Sequence, residues 1–224
     1  MKLLHIIQAR SVWLFPINDL NPRGRGVERD ASKALAERYK FAGVPDAAAI
    51  LQARKDNKGI VYQEGIYQSP HGDPINVALT IYTDGLVADT RSSTTDSDHF
   101  LNDLLTWLST DFGLLPHNNI VRRKLYISDM HVRFEQPLTL INPKLEEFCR
   151  TMADKSQNQA PGITFEVGAI GFWNDPATQH RIVNFRLERA EGVPFSENRF
   201  FTQAPIHTHE HLELLEKLEH IVSS

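Results

Sequence analysis

The 224-residue chain contains a single cysteine, Cys149, which excludes an internal disulfide and with it the small secreted proteins that disulfides hold together. A lone thiol can act as a nucleophile, but reactive thiols lie in polar, accessible surroundings. Cys149 follows Leu145 and Phe148 and precedes Met152, which places it on the apolar stripe of a predicted helix. We therefore expect Cys149 to be buried and catalytically inert.

Long hydrophobic runs are also missing. No segment approaches the roughly 18 consecutive apolar residues that a membrane span needs. The first fifteen residues are interrupted by His5, Gln8 and Arg10 and lack a small-residue cleavage site, so they predict a strand rather than a signal peptide. The expectation is a cytoplasmic, bacterial-type protein that does not bind membranes.

Positive charge is not in excess, because 24 Lys+Arg stand against 28 Asp+Glu and give a formal net charge of -4. This balance disfavours a protein that coats nucleic acid non-specifically, since neutralising phosphates requires a basic surface. Specific nucleic-acid binding through the basic residues 21–58 ranks third among the functional hypotheses.

The charges that are present are segregated along the chain. Residues 21–58 contain nine Lys/Arg and five acidic residues, whereas residues 84–111 contain six Asp and one Arg. Such segregation is typical of complementary contact surfaces, within the molecule or between copies. Two separate solvated faces would give the same pattern.

The pattern of predicted elements favours an α+β fold. Apolar alternation and helical periodicity give the order β-α-α-β-β-β-α-β-α-β-β-α, with hairpins among the helices. This is not the regular β-α alternation of a doubly wound sheet. We predict a largely antiparallel or mixed sheet packed with four to five helices, in one domain spanning 1–224. A weak alternative boundary lies near residues 113–122.

Three histidines at the start of the last predicted helix are the candidate metal ligands. His207, His209 and His211 combine an H-x-H pattern with an i,i+4 pair, and both spacings can bind a divalent metal ion such as zinc. His207 is expected to precede the helix, and a further ligand would have to come from elsewhere in the chain. The alternative is a solvated, histidine-rich helix start.

Two polar rows on predicted strands are the candidate catalytic groups. Asp129, His131 and Arg133 alternate along one strand, and Arg186 and Glu188 alternate along a later one. If these strands are neighbours, His131 beside Asp129 can act as a general base while the arginines hold an anion. The alternative is the wet face of an antiparallel sheet, which shows the same alternation.

Two loops are candidate partner-binding segments. Arg23 and Arg25 alternate with glycines and can reach acidic groups on a partner. The segment containing Phe195, Glu197, Asn198 and Arg199 precedes two further phenylalanines, and aromatic residues around polar ones suit a docked loop. A solvated loop is the alternative for each.

The sequence contains no nucleophile elbow, kinase signature, C-x-x-C pair or EF-hand loop. We therefore expect an interaction subunit of a multiprotein assembly or homo-oligomer that acts through protein contacts. The rival hypothesis is a metal-dependent or general acid–base hydrolase that uses residues 207–211 and His131. An enzyme requires these groups to converge in one pocket, whereas an interaction protein leaves them scattered.

Overall fold

The computed structural model describes residues 1–24, 26, 28–177 and 182–223. The strands are β1 Lys2–Leu14, β2 Ile60–Gln68, β3 Pro74–Tyr82, β4 Gly85–Thr90, β5 Arg123–Arg133, β6 Ala169–Phe172, β7 Phe185–Arg189 and β8 Arg199–Ala204. The helices are α1 Glu28–Arg38, α2 Ala47–Lys55, α3 Thr94–Phe112, α4 Pro143–Ser156 and α5 Thr208–Ser223. These five helices and an eight-stranded antiparallel sheet confirm the predicted α+β class.

The strands are ordered β2-β3-β4-β1-β5-β8-β7-β6. The predicted element order lacks β8, because the two phenylalanines after the loop at residues 195–199 form too short an apolar segment to predict a strand. That segment pairs with β7 and thereby becomes a full strand. None of the described helices is long and apolar enough to cross a bilayer.

The chain divides into two compact units. The larger unit comprises Gln8–Ser128 and Ile206–Thr208, and the smaller unit comprises Met1–Ile7, Asp129–Pro205 and His209–Ser224. The single-domain assignment, like the alternative boundary near residues 113–122, stays a prediction.

In the larger unit a tight turn joins β3 to β4; its two residues are Thr83 and Asp84, one position before the Asp84-Gly85 pair that the sequence favours, because Gly85 pairs with Tyr82 as the first residue of β4. The antiparallel register pairs Ile81 with Leu86. A Cβ atom at Gly85 would lie 2.3 Å from the carbonyl oxygen of Trp13, so only glycine allows β1 to approach this turn.

Helix α3 supplies much of the core of the larger unit. Ser93 caps its first turn by accepting a hydrogen bond from the backbone N–H of Asp96, and Gly113 ends the helix in the left-handed conformation. Four side chains at helical spacing are fully buried, namely Phe100, Leu101, Leu104 and Leu105.

The segregated charges meet in part within the larger unit. Arg38, from the basic segment, lies 3.1 Å from the carboxylate of Asp103 in the acidic segment. The hydroxyl of Tyr39 donates to the same carboxylate at 2.6 Å. Arg38 and Asp103 therefore join the basic and acidic segments in a contact between α1 and α3.

Cys149 is buried, as predicted, and is free. The predicted apolar stripe around it is wrong, however. Leu145 is exposed and Phe148 is 61% exposed, so the covered side of α4 is narrower than that stripe and carries the buried Cys149 with the half-buried Met152.

Candidate functional site

The catalytic hypothesis requires the two polar rows to lie on neighbouring strands. The structure contradicts this requirement. Strand β8 lies between β5 and β7 because strand order depends on long-range pairing, which local alternation does not reveal. Gln203 of β8 bridges the rows, since it pairs in register with Arg186 and donates a hydrogen bond of 2.9 Å to Asp129.

Three strands therefore form one continuous polar surface in the smaller unit. We call it the polar sheet face and define it by the residues that alternate onto it: Asp129, His131, Arg133, Arg186, Glu188, Arg199, Phe201 and Gln203. Arg186 lies over the ring of Phe201 at 4.9 Å and 3.7 Å from Glu188. The face thus combines paired charges with a planar aromatic surface.

His131 lies in a ring cluster on this face. The ring of His5 is 4.6 Å away, edge to face, and the ring of Phe201 is 6.1 Å away. Burial lowers the pKa of His131, and the nearby positive charges of His5 and Arg199 lower it further. The imidazole is therefore neutral at pH 7, and its shown neighbours are rings rather than a carboxylate that would orient it as a general base.

A tryptophan that sequence reasoning did not single out extends the polar sheet face. Gly171 pairs in register with Arg186, and a Cβ atom at Gly171 would lie 2.6 Å from the indole of Trp173. The indole therefore covers Gly171, yet Trp173 is 74% exposed. The signal in the sequence was a glycine two residues before an aromatic residue at a strand end.

The three candidate metal ligands have different surroundings. His207 stacks on Tyr126 with ring centroids 3.7 Å apart, and its Nδ1 lies 3.2 Å from the hydroxyl of Thr94. His209 is exposed on α5. His211 is 0% exposed, and its Nε2 lies 2.9 Å from the hydroxyl of Thr202.

Within the described part of the chain, no three His, Cys, Asp or Glu side chains are grouped closely enough to hold a metal ion. His207 precedes α5, as predicted, so the i,i+4 pair does not lie on one helix. The spacing alone therefore does not produce the convergence that a zinc site requires.

The predicted docking loop at residues 195–199 is held mainly by its own unit. Arg189 covers the ring of Phe195 at 4.5 Å and donates to its carbonyl oxygen at 3.2 Å. Glu197 lies 3.5 Å from Arg199, and Asn198 adopts a left-handed turn while its carbonyl accepts from Phe134. This loop contributes Arg199 to the polar sheet face.

The other candidate loop is only partly described. Arg23 is exposed after a short 3₁₀ turn. Arg25 lies outside the described residues.

The larger unit contains a cavity that no sequence pattern indicated. Its volume is about 980 Å³. Its walls come from α1, α2, β2, β3 and α3, together with the segment after β1. The apolar residues at its base include Leu79, Leu104 and Leu105. Such a cavity has the size and lining of a small-molecule site.

Polar groups are concentrated in a few positions around this cavity. The hydroxyls of Ser32 and Tyr62 lie 2.6 Å apart in its wall. Arg54 and Lys58 line it from the end of α2 and the following loop, and both are exposed. A charged rim above an apolar interior follows from this arrangement.

Comparison of the chain with protein-family models and with curated proteins found no match. The functional argument therefore rests on the two surfaces described above.

Proposed function

We propose that this protein is a non-catalytic subunit that acts through protein contacts, and that two copies associate through the polar sheet face. The observation that carries the proposal is the exposed Trp173, whose indole covers Gly171 opposite Arg186, which in turn lies over the ring of Phe201. Tryptophan, arginine and other aromatic residues supply most of the binding energy in protein interfaces.

The scattered positions of the candidate catalytic groups favour contact over catalysis. His131 lies among rings, His211 is buried against Thr202, and His209 is exposed. A hydrolase would need a nucleophile or metal and its base within hydrogen-bond reach of one another.

A second copy is the partner that the charges of this face favour. Three arginines lie on it, and three carboxylates accompany them: Arg133, Arg186, Arg199, Asp129, Glu188 and Glu197. A surface with both signs can be complementary to itself across a twofold axis. The same mixture disfavours a nucleic acid, which would meet the carboxylates with its phosphates.

A cytoplasmic location, in a protein of bacterial type, belongs to the same proposal. It is supported by the single cysteine, which is free and buried, because a chain of this size with one thiol does not depend on an oxidising compartment.

Sedimentation equilibrium across the micromolar range tests the association. We expect the wild type to be a reversible dimer and Trp173→Ala or Arg186→Glu to weaken it by about tenfold or more, as removal of a central interface residue does. Phe172→Ala is the matched control, because Phe172 is the adjacent residue, is 59% exposed and faces Phe185 on the other side of the sheet.

Two results would contradict the proposal. One is a wild-type protein that stays monomeric throughout the range. The other is equal weakening by Trp173→Ala and Phe172→Ala, which would place the interface elsewhere.

The hydrolase remains the alternative, and metal content tests its metal-dependent form. Protein purified without a tag or added metal should contain zinc and manganese at background only. A stoichiometric metal that is lost in His209→Ala would favour the hydrolase. His209 is the better substitution, since His211 is buried and its replacement would also disturb folding.

A further inference from the structure

The geometry points to the cavity of the larger unit as a binding site for an uncharged, mainly apolar small molecule that carries one hydroxyl or carbonyl group. The lining residues lie between Ile17 and Leu114, so the whole site belongs to the larger unit. The polar sheet face, through which two copies are proposed to associate, lies in the smaller unit and does not enter the argument.

The walls of the cavity carry aliphatic surface that the fold itself leaves partly uncovered. Five side chains pack against the core of the larger unit, are only partly buried and line the cavity: Ile17, Ile60, Ile81, Leu108 and Leu114. They come from β2, β3, α3 and the segments after β1 and α3. A ligand inside the cavity would therefore contact aliphatic groups from several directions, and covering them is favourable because apolar surface leaves water.

In helix α2, two apolar side chains at the cavity are incompletely covered by the protein. The helix contains no buried residue, although Ile50 and Leu51 line the cavity. Leu51 is 68% exposed. Because surface helices normally bury their apolar stripe, these two side chains favour an apolar ligand that would cover them. We therefore expect α2 to be the helix that binding protects most.

A pair of hydroxyl groups gives the apolar walls one position for a hydrogen bond with a ligand. Ser32 of α1 and Tyr62 of β2 both line the cavity, and their hydroxyl oxygens lie 2.6 Å apart. Only one of the two hydroxyl hydrogens can lie between these oxygens, so the other can be donated to a ligand oxygen. The pair therefore suits a hydroxyl or carbonyl oxygen as the polar group of the ligand.

The charges at the rim disfavour an ionised ligand. Arg54 and Lys58 are the fully charged side chains among the described lining residues, and both are exposed. Each is engaged within the protein, because Lys58 lies 3.5 Å from the carboxylate of Asp56 and Arg54 interacts with another group of the chain. The described lining residues include no carboxylate, so an ammonium group would lack a counterion. Since burying an ion without a partner is costly, these walls favour an uncharged ligand over a carboxylate or an amine.

Titration of the delipidated protein with diphenylhexatriene, a hydrocarbon dye whose fluorescence increases in apolar surroundings, tests the site. We expect saturable binding of one dye per chain. 1-Dodecanol and 2-dodecanone should displace the dye, whereas dodecanoate and dodecylammonium, which have the same chain length and a charge, should displace it at least tenfold more weakly. Absence of saturable binding would overturn the site. Equal displacement by all four competitors would overturn the choice of an uncharged ligand.

Removal of one hydroxyl locates the polar group of the ligand. Tyr62→Phe keeps the ring and should weaken binding of dodecanol and dodecanone by about three- to tenfold, as loss of a hydrogen bond does, while binding of the hydrocarbon dye stays unchanged. Tyr67→Phe is the matched control, because Tyr67 is a buried tyrosine of the same strand outside the lining, and it should bind every ligand like the wild type. Unchanged binding of dodecanol by Tyr62→Phe would overturn the hydrogen-bonding part of the proposal.

Filling the cavity locates the apolar part of the ligand. Ala31→Trp on α1 and Ile50→Trp on α2 each place an indole at a lining position and should weaken dye binding at least tenfold. Ile50→Trp should also keep the fold, because α2 contains no buried residue. Lys33→Trp and Lys55→Trp are the matched controls, at exposed positions of the same helices outside the lining. Equal dye binding by the filled variants and their controls would overturn the site.

Amide hydrogen exchange distinguishes a ligand from a protein partner at α2. Saturation with the dye should slow exchange in α2 and leave α5, which lies almost entirely in the smaller unit, unchanged. Weaker self-association of Ile50→Trp together with unchanged dye binding would assign this wall to a contact between copies and overturn the ligand site. A wild type that binds the dye but stays monomeric contradicts only the proposed function.

Discussion

The strands of the smaller unit have two faces, one buried in the core and one exposed. On one face Leu187, Phe200 and Thr202 are fully buried, and α5 contributes the buried His211, whose Nε2 contacts Thr202. On the polar sheet face, Trp173 is exposed and charged side chains pair at the surface. The first face stabilises the fold, whereas the second carries aromatic and charged groups that the fold does not need.

The largest difference between the faces should appear in stability. Leu187→Ala removes a fully buried side chain and should lower the free energy of unfolding by about 2–5 kcal/mol. Trp173→Ala, on the exposed face, should change it by less than about 0.5 kcal/mol. Urea unfolding at a protein concentration below the dissociation range, where association does not add to stability, measures both values. Similar losses for the two variants would mean that the polar sheet face also belongs to the core.

A smaller effect is expected from the polar pair within the covered face. The hydroxyl of Thr202 donates to the carbonyl of Arg186 at 2.9 Å and so accepts from Nε2 of His211, also at 2.9 Å. Thr202→Val leaves a buried ring nitrogen without this acceptor and should cost about 1–3 kcal/mol. Thr202→Ser keeps the hydroxyl and should retain most of the stability in the same unfolding experiment.

We expect His131 on the polar sheet face to contribute to the pH dependence of the free energy of unfolding. Because the folded-state pKa of His131 is lowered, the unfolded chain binds this proton more tightly. The stabilising contribution of His131 to the free energy of unfolding is therefore fully present above the ordinary pKa of about 6.5. It is lost as the pH falls through the lowered pKa of the folded state.

His117, in the larger unit, shifts in the same direction because of burial and the charge of Lys124. The comparison of wild type with His131→Gln isolates the part that belongs to His131. Unfolding free energies below pH 7 should fall less steeply for His131→Gln. Parallel curves would show that His131 is not desolvated on this face.

The smallest change in stability is expected at Gly171. An added Cβ atom would meet the indole of Trp173, which is an exposed side chain that can move aside. Gly171→Ala should therefore leave unfolding nearly unchanged while altering Trp fluorescence and weakening association. Unchanged association together with a displaced indole would separate Trp173 from the interface.

Local patterns in the sequence predicted the elements that bury one regular stripe or alternate cleanly. Leu101, Leu104 and Leu105 of α3 follow from a period of 3.6 and are buried, whereas in β5 the period of 2 holds for the buried Met130 and Val132 and the more exposed His131 and Arg133 but not for Asp129, which is buried. The position of β8 between β5 and β7 could not be predicted in this way, since the order of strands depends on contacts between distant segments.

The candidate sites show the same limit. Residues of the polar rows lie on one sheet face, as alternation indicated, but their link through Gln203 required the structure. The cavity could not be predicted from the sequence, because its lining comes from elements spread over residues 17–114, each with an ordinary apolar pattern.

The three tryptophans provide the most direct test of association through the polar sheet face. Trp13 donates its indole N–H to Asp98, Trp107 donates to Asp111, and Trp173 lies on the polar sheet face. Each gives its own indole signal in a two-dimensional ¹H–¹⁵N spectrum, and single substitutions assign the signals. On dilution through the dissociation range, the Trp173 signal should shift while those of Trp13 and Trp107 stay fixed. A fixed Trp173 signal, or equal shifts of all three, would contradict the proposal.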